Sequence, residues 1–176
     1  MMRKNLRGAY FVSVAIMIAS LGGCGYHFAG GRPSREVGQY VLAGPIIENH
    51  TRHPGLDLIL AEAINHRFIL EGLPLLKPTG ETEAHIRCSI RSLDIKPISF
   101  RRNLTAREYR ITMILDAALE GRRESPNPWS AKGIILTRTY RVQSTIVATE
   151  REKKAALEAI GFDAALIIAD GILRGF

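Results

Sequence analysis

The chain has little cysteine, no long hydrophobic run, no internal repeat and no recognisable catalytic motif, and each lack removes a class of protein. Two cysteines in 176 residues, Cys24 and Cys88, exclude a disulfide-stapled scaffold. The apolar run Gly8 to Ser20 amounts to about a dozen residues, well short of the ~20 that cross a bilayer as a helix. No P-loop, dinucleotide fingerprint or G-x-S-x-G nucleophile elbow occurs. Of the five histidines (His27, His50, His53, His66 and His85), only His50 and His53 share a loop. They lack a nearby third ligand and the i, i+4 helical spacing of a zinc site, so they read as a solvated pair. Glu48 beside them has no nucleophile to serve. Ser89, Ser92 and Ser99 lie in or beside a strand as ordinary surface hydroxyls. Cys88 has no thiolate-stabilising pattern around it and reads as a small buried hydrophobe. The expectation is a non-enzyme with no metal and no cofactor.

What is present begins at the N-terminus. Arg3, Lys4 and Arg7 precede the apolar run, and Leu21-Gly22-Gly23-Cys24 closes it. A basic start, an apolar stretch and small residues form a secretory signal, which is set aside before the fold is considered. The cysteine placed directly after the small residues resembles the lipobox of bacterial lipoproteins, which implies acylation of Cys24. Each buried methylene is worth ~0.8 kcal/mol, so several acyl chains hold a protein to a membrane surface without a spanning helix. Gly25 follows the cysteine where Asp would favour inner-membrane retention, so the expected location is the inner leaflet of the outer membrane, with the fold in the periplasm.

Setting aside residues 1–23 leaves 153 residues, enough for one core. That segment holds three of the 24 basic residues and none of the 17 acidic ones, so the formal charge falls from +7 to +4. This is too little to argue for nucleic acid. Eighteen of the basic residues are Arg, which forks onto phosphates and carboxylates; a GC-rich genome would produce the same bias.

Residues 24–36 read as anchor and polar tether, and 37–176 as a single domain. Val37 to Ile47 predicts a strand ended early by Pro45. The sequence ENHTRHPG is then a loop. A helix is predicted from Leu56 to about Glu71, with Leu56, Ile59, Leu60, Ala63, Ile64 and Phe68 on one face and Gly72 and Pro74 as its stop. Three strands follow, over His85–Ile98, Glu108–Glu120 and Trp129–Val142. In the first, the apolar phase slips at Arg91-Ser92, which requires a bulge to keep Leu93 and Ile95 on the face of Ile86, Cys88 and Ile90. Thr149-x-x-Glu152 predicts a capping box opening a last helix to about Leu173, weakened by Gly161 and Gly171 at ~1 kcal/mol each. The predicted architecture is an α/β two-layer sandwich, two helices packed on one face of a four-stranded mixed sheet.

Basic residues gather where the second and third strands join: Lys96, Arg101, Arg102, Arg107 and Arg110. Arg87, Arg91, Arg138 and Arg141 lie within strands. The connecting loop reads as low in apolar content, so folding does not require guanidiniums there. A solvated sheet face is one reading. The other is a set of guanidiniums held for an anionic partner, such as phosphate or the charged interior of another protein.

The order of elements then meets a family. Cys24-Gly25-Tyr26-His27-Phe28, the segment Pro45-Ile46-Ile47-Glu48-Asn49-His50-Thr51, Pro54-Gly55-Leu56 opening a helix, Tyr109-Arg110-Ile111-Thr112, and Arg138-Thr139-Tyr140 before the final helix together resemble the LPS-assembly lipoproteins (LptE). The turn Gly121–Trp129 and Gly161-Phe162 depart from that pattern. The resemblance implies a plug subunit of the outer-membrane lipopolysaccharide translocon. Such a subunit sits inside the β-barrel LPS-assembly protein (LptD), helps it fold and assists lipopolysaccharide delivery to the outer leaflet. Lys96, Arg101, Arg102, Arg107 and Arg110 are then the expected contacts with lipopolysaccharide or barrel. The alternatives are a generic outer-membrane lipoprotein that activates an envelope-assembly protein, and a periplasmic hydrolase, for which the sequence offers no cleft chemistry.

Overall fold

The structure, a computed structural model, describes residues 42–73, 75–76, 84–121 and 129–174. The signal segment, Cys24, the tether, residues 37–41 of the expected first strand and most of the Gly121–Trp129 turn lie outside them.

The described elements run β1 (Leu42–Asn49), α1 (Leu56–Leu70), β2 (Ala84–Phe100), β3 (Ala106–Gly121), β4 (Ser130–Arg141) and α2 (Ile146–Arg174). The strands form one sheet in the order β1-β2-β3-β4. β1 is parallel to β2, and the remaining pairs are antiparallel. Both helices share one core with the sheet. Leu60, Ile64 and Phe68 of α1 and Ile160, Ala164 and Ile168 of α2 are buried with Ile86, Ile90, Ile111 and Leu115. This is the two-layer α/β sandwich on a mixed sheet that periodicity predicts. In α2, Ile168 is fully buried, whereas its neighbour Ile167 is exposed.

Two departures are local. Pro45 does not end β1: the register shifts between Ala43 and Ile46, and pairing with β2 resumes to Asn49. An edge strand tolerates the missing N–H. The Gly44 N–H, beside it, donates outward to the Leu76 carbonyl at 2.7 Å. α2 begins at Ile146, earlier than the expected Thr149 box, because Thr145 is the cap. Its Oγ1 accepts the Ala148 N–H at 3.2 Å, and the Thr149 hydroxyl is turned back onto the Thr145 carbonyl at 3.0 Å.

The glycines of α2 have packing reasons. A Cβ on Gly161 would lie 3.0 Å from Ile59 Cγ2 of α1, and one on Gly171 would lie 2.3 Å from the Trp129 indole. Each residue lets a neighbour sit against bare helix backbone, so the propensity cost is offset by closer packing.

The predicted slip in β2 is a bulge. Ile90 pairs with Leu115 and Ser92 with Ile114, leaving Arg91 unpaired, so Leu93 and Ile95 return to the core side. A second bulge, silent in the sequence, sits in β4, where Lys132 and Gly133 together oppose Asp116. Gly133 takes φ +67° there, a conformation that costs any residue with a Cβ. Asp116 links the two bulges: Oδ1 accepts the Gly133 N–H at 2.7 Å, and Oδ2 accepts from Arg91 Nε at 3.0 Å.

Candidate anionic-partner interface

β2 and β3 outrun their neighbours. β1 pairs only with residues 84–90 of β2, and the β2–β3 ladder continues to Phe100 opposite Ala106. The free edge of β2 carries Pro97 and Lys96, which blunt strand-to-strand aggregation. The turn Arg101–Thr105 closes the hairpin. The Arg101 N–H donates to the Thr105 carbonyl (2.9 Å) and the Leu104 N–H to the Arg101 carbonyl (3.0 Å). The Asn103 Oδ1 accepts from Thr105 Oγ1 at 2.7 Å.

The basic residues separate into two sets. Those on the sheet away from the hairpin tip have carboxylate partners. Arg87 bridges β1 and β3, Nη1 to Glu48 at 2.8 Å and Nε to Glu120 at 2.9 Å. Arg91 pairs with Asp116, Arg138 with Asp163 of α2 at 2.5 Å, and Arg141 with Glu108 at 3.0 Å. Arg87 holds the Glu120 carboxyl below its usual range, chiefly by hydrogen bonding. Arg141 does the same to Glu108. Arg87 and Arg141 are thus neutralised on the open sheet face, and Arg138 on the helix side, where it stands opposite buried Ile111 and meets Asp163.

The hairpin set is different. Lys96 lies opposite Arg110 in register, Arg101 and Arg102 are in the turn, and Arg107 follows it. Lys96 reaches Asp94 at 3.3 Å, and Arg101 Nη2 donates to the Val142 carbonyl at 3.2 Å. Arg102, Arg107 and Arg110 are exposed and form no salt bridge among the described residues. All five residues singled out in the sequence thus belong to one hairpin; Arg102 and Arg110 have no carboxylate partner among the described residues, and Arg107 acts on the Glu108 carboxylate only through space, without a salt bridge.

Sequence reading missed the apolar component of this end. The turn is not poor in exposed apolar surface: Phe100 is 57% and Leu104 83% exposed, and Ile146 and Val147 in the first turn of α2 are 83% and 72% exposed. The Val142 N–H donates to the Arg107 carbonyl at 2.9 Å, so the start of α2 follows closely on the base of the hairpin. Phe100 and Leu104 are single apolar residues in a polar turn, and Ile146-Val147 precede the apolar stripe of α2, so no periodicity marks these four.

Cys88 is fully buried, and burial pushes its thiol up to about 12. His50 reaches Glu48 at 3.5 Å, and the His53 carbonyl accepts from Asn49 at 2.8 Å. Among the described residues no three His, Cys, Asp or Glu side chains come together as metal ligands, and no helix is long and apolar enough to cross a membrane.

A family model described as LptE, lipopolysaccharide-assembly, matches residues 42–174, which takes in all six elements. The chain belongs to the LptE family. Solved structures share the fold at low identity. The rare lipoprotein B from Shewanella oneidensis is 16% identical with a TM-score of 0.51, covering 73% of this chain and 93% of that one. The hypothetical protein CT253 from Chlamydia trachomatis is 8% identical with a TM-score of 0.50, covering 77% and 99%. No curated protein matches.

Proposed function

We propose that this LptE-family protein is a non-catalytic outer-membrane lipoprotein, acylated at Cys24, that acts as plug subunit of the lipopolysaccharide translocon. In that role it assists assembly of the β-barrel partner LptD and delivery of lipopolysaccharide to the outer leaflet. Lys96, Arg101, Arg102, Arg107 and Arg110 are its contacts with lipopolysaccharide phosphates or with acidic groups of the barrel. The observation that carries the reading is the contrast in charge pairing. Arginines elsewhere on the sheet form salt bridges with carboxylates, and those at the hairpin form none among the described residues.

A barrel lumen is polar, and a plug meets it with paired charges, such as Arg87 with Glu48 and Glu120, and Arg141 with Glu108, on the open sheet face. Uncompensated guanidiniums gain most by forking onto phosphate or carboxylate in a desolvated contact, at ~1.5–3 kcal/mol each. Detergent extraction of the lipidated protein, affinity capture and identification of co-eluting proteins test the role. The expected companion is a large outer-membrane β-barrel in stoichiometric amount. Capture of the protein without any barrel contradicts it.

A further inference from the structure

We infer that the hairpin end is a bilayer-contact surface, entering the headgroup layer of a membrane rich in anionic glycerophospholipid. This goes beyond the translocon role and does not depend on it. Two observations combine. Phe100 and Leu104 at the tip, and Ile146 and Val147 at the start of α2, are large apolar side chains left in water. Arg102 in the turn and Arg107 beside it form no salt bridge among the described residues, and the Arg107 carbonyl accepts the Val142 N–H, four residues before Ile146. A soluble anion would not need the apolar side chains, which suit the boundary between headgroups and acyl chains. Apolar area plus unpaired cations is the combination that binds an anionic lipid surface.

The turn strengthens the case. Leu104 is the one described non-glycine residue with positive φ, at 61°. Folding alone favours Gly or Asn in that conformation, since a branched side chain adopts it at a cost. Backbone bonds at both ends of the turn and the Asn103 side chain hold Leu104 outward at the apex. Strain kept at an exposed apex points to a use for that side chain.

The contact is also remote from where the chain enters the sheet. Leu42 pairs with Ala84 at one end of β2 and Phe100 is at the other, a separation of ~50 Å along the strand.

The test uses residues 24–176 carrying Cys24→Ser, which contain every core residue and carry no lipid. Flotation is measured with vesicles of phosphatidylcholine alone and of phosphatidylcholine with roughly one third phosphatidylglycerol. The parent is expected to float only with the anionic vesicles. Phe100→Ser with Leu104→Ser, and separately Arg102→Gln with Arg107→Gln, are expected to lower partitioning by about tenfold or more. Leu104→Asn, which suits the positive φ and so keeps the fold, should lower it measurably by itself. Leu58→Ser with Ile69→Ser, exposed apolar positions on α1, should leave it within about twofold. A parent that stays unbound with anionic vesicles overturns the inference, including when it still binds lipopolysaccharide aggregates. An α1 double variant that loses binding as fully as the tip variant overturns it too. Vesicle binding by a protein that captures no barrel supports this inference and contradicts the translocon role.

Discussion

Asp116→Ala should destabilise the fold far more than a surface carboxylate ordinarily does, because Asp116 holds two β-bulges at once. Its Oδ1 takes the N–H of Gly133, the positive-φ residue of the β4 bulge, and its Oδ2 takes Arg91, the extra residue of β2. The Asp116 side chain is only 21% exposed, whereas that of Arg91 is 60% exposed. The ion pair is therefore screened and worth ~0–1 kcal/mol. A hydrogen bond from a backbone N–H to a charged acceptor is worth ~1.5–3 kcal/mol, reduced here because Gly133 is exposed and water can replace part of it. The sum is ~1–2 kcal/mol, or about 2–8 °C in Tm for a chain of this size. Urea unfolding followed by far-ultraviolet circular dichroism gives the value, with an unchanged m-value as the sign that only stability moved. Asp116→Asn keeps an oxygen for the Gly133 N–H and should cost less than Ala, and Arg91→Ala should cost less than either. If Asp116→Ala unfolds within ~0.3 kcal/mol of the parent, or Arg91→Ala costs as much, the carboxylate does not pin the bulges and the reasoning fails.

Other expectations concern the core, the helix glycines and pH. Leu60→Ala should cost ~2–5 kcal/mol in the same assay as a buried large-to-small change, and a loss below ~0.5 would mean the helical face is misplaced. Gly171→Ala drives a Cβ into the Trp129 indole, so it should cost ~1–3 kcal/mol by overpacking and red-shift the emission of this single tryptophan; an unshifted spectrum and unchanged stability contradict the contact. Cys88, its thiol pushed up to about 12 by burial, should resist thiol reagents at neutral and mildly alkaline pH and react only across the unfolding transition. Glu120 is held below its ordinary 4.5 by Arg87, so its contribution is present above that value and is lost as pH falls through the lower, folded-state one. Because Glu120 is well exposed, Glu120→Gln should flatten the acid limb of the stability curve by less than ~1 kcal/mol.

Where the sequence was legible, a period carried the information. The β3 alternation from Ile111 to Leu119 and the α1 stripe Leu56, Leu60, Ile64 and Phe68 map directly onto buried positions, with Tyr109 half-buried beside them. The phase slip at Arg91-Ser92 announced its bulge, because buried residues on both sides fixed the register. The β4 bulge gave no such sign: Lys132-Gly133 lies outside the apolar alternation, and its cause is the Asp116 carboxylate on the neighbouring strand. Thr145 and Thr149 are one helical turn apart and both suit a cap, so only the backbone decides between them. Gly161 and Gly171 are unfavourable by propensity, and the reason for them lies in Ile59 and Trp129, far away in sequence. The basic cluster was visible as composition, but which arginines lack carboxylates depends on strand register and could not be read from spacing.

The central claim is that the unpaired guanidiniums of the hairpin hold an anionic partner, and lipopolysaccharide binding by a charge-reversed variant tests it most directly. Arg102→Glu, Arg107→Glu and Arg110→Glu combined remove no salt bridge among the described residues. Thermal stability should therefore stay within a few degrees of the parent. Affinity for purified lipopolysaccharide should fall by about tenfold or more, with the largest difference at low salt, where screening is weakest. A triple variant that folds like the parent and binds lipopolysaccharide as tightly at low salt would contradict the account and reduce the cluster to a solvated surface.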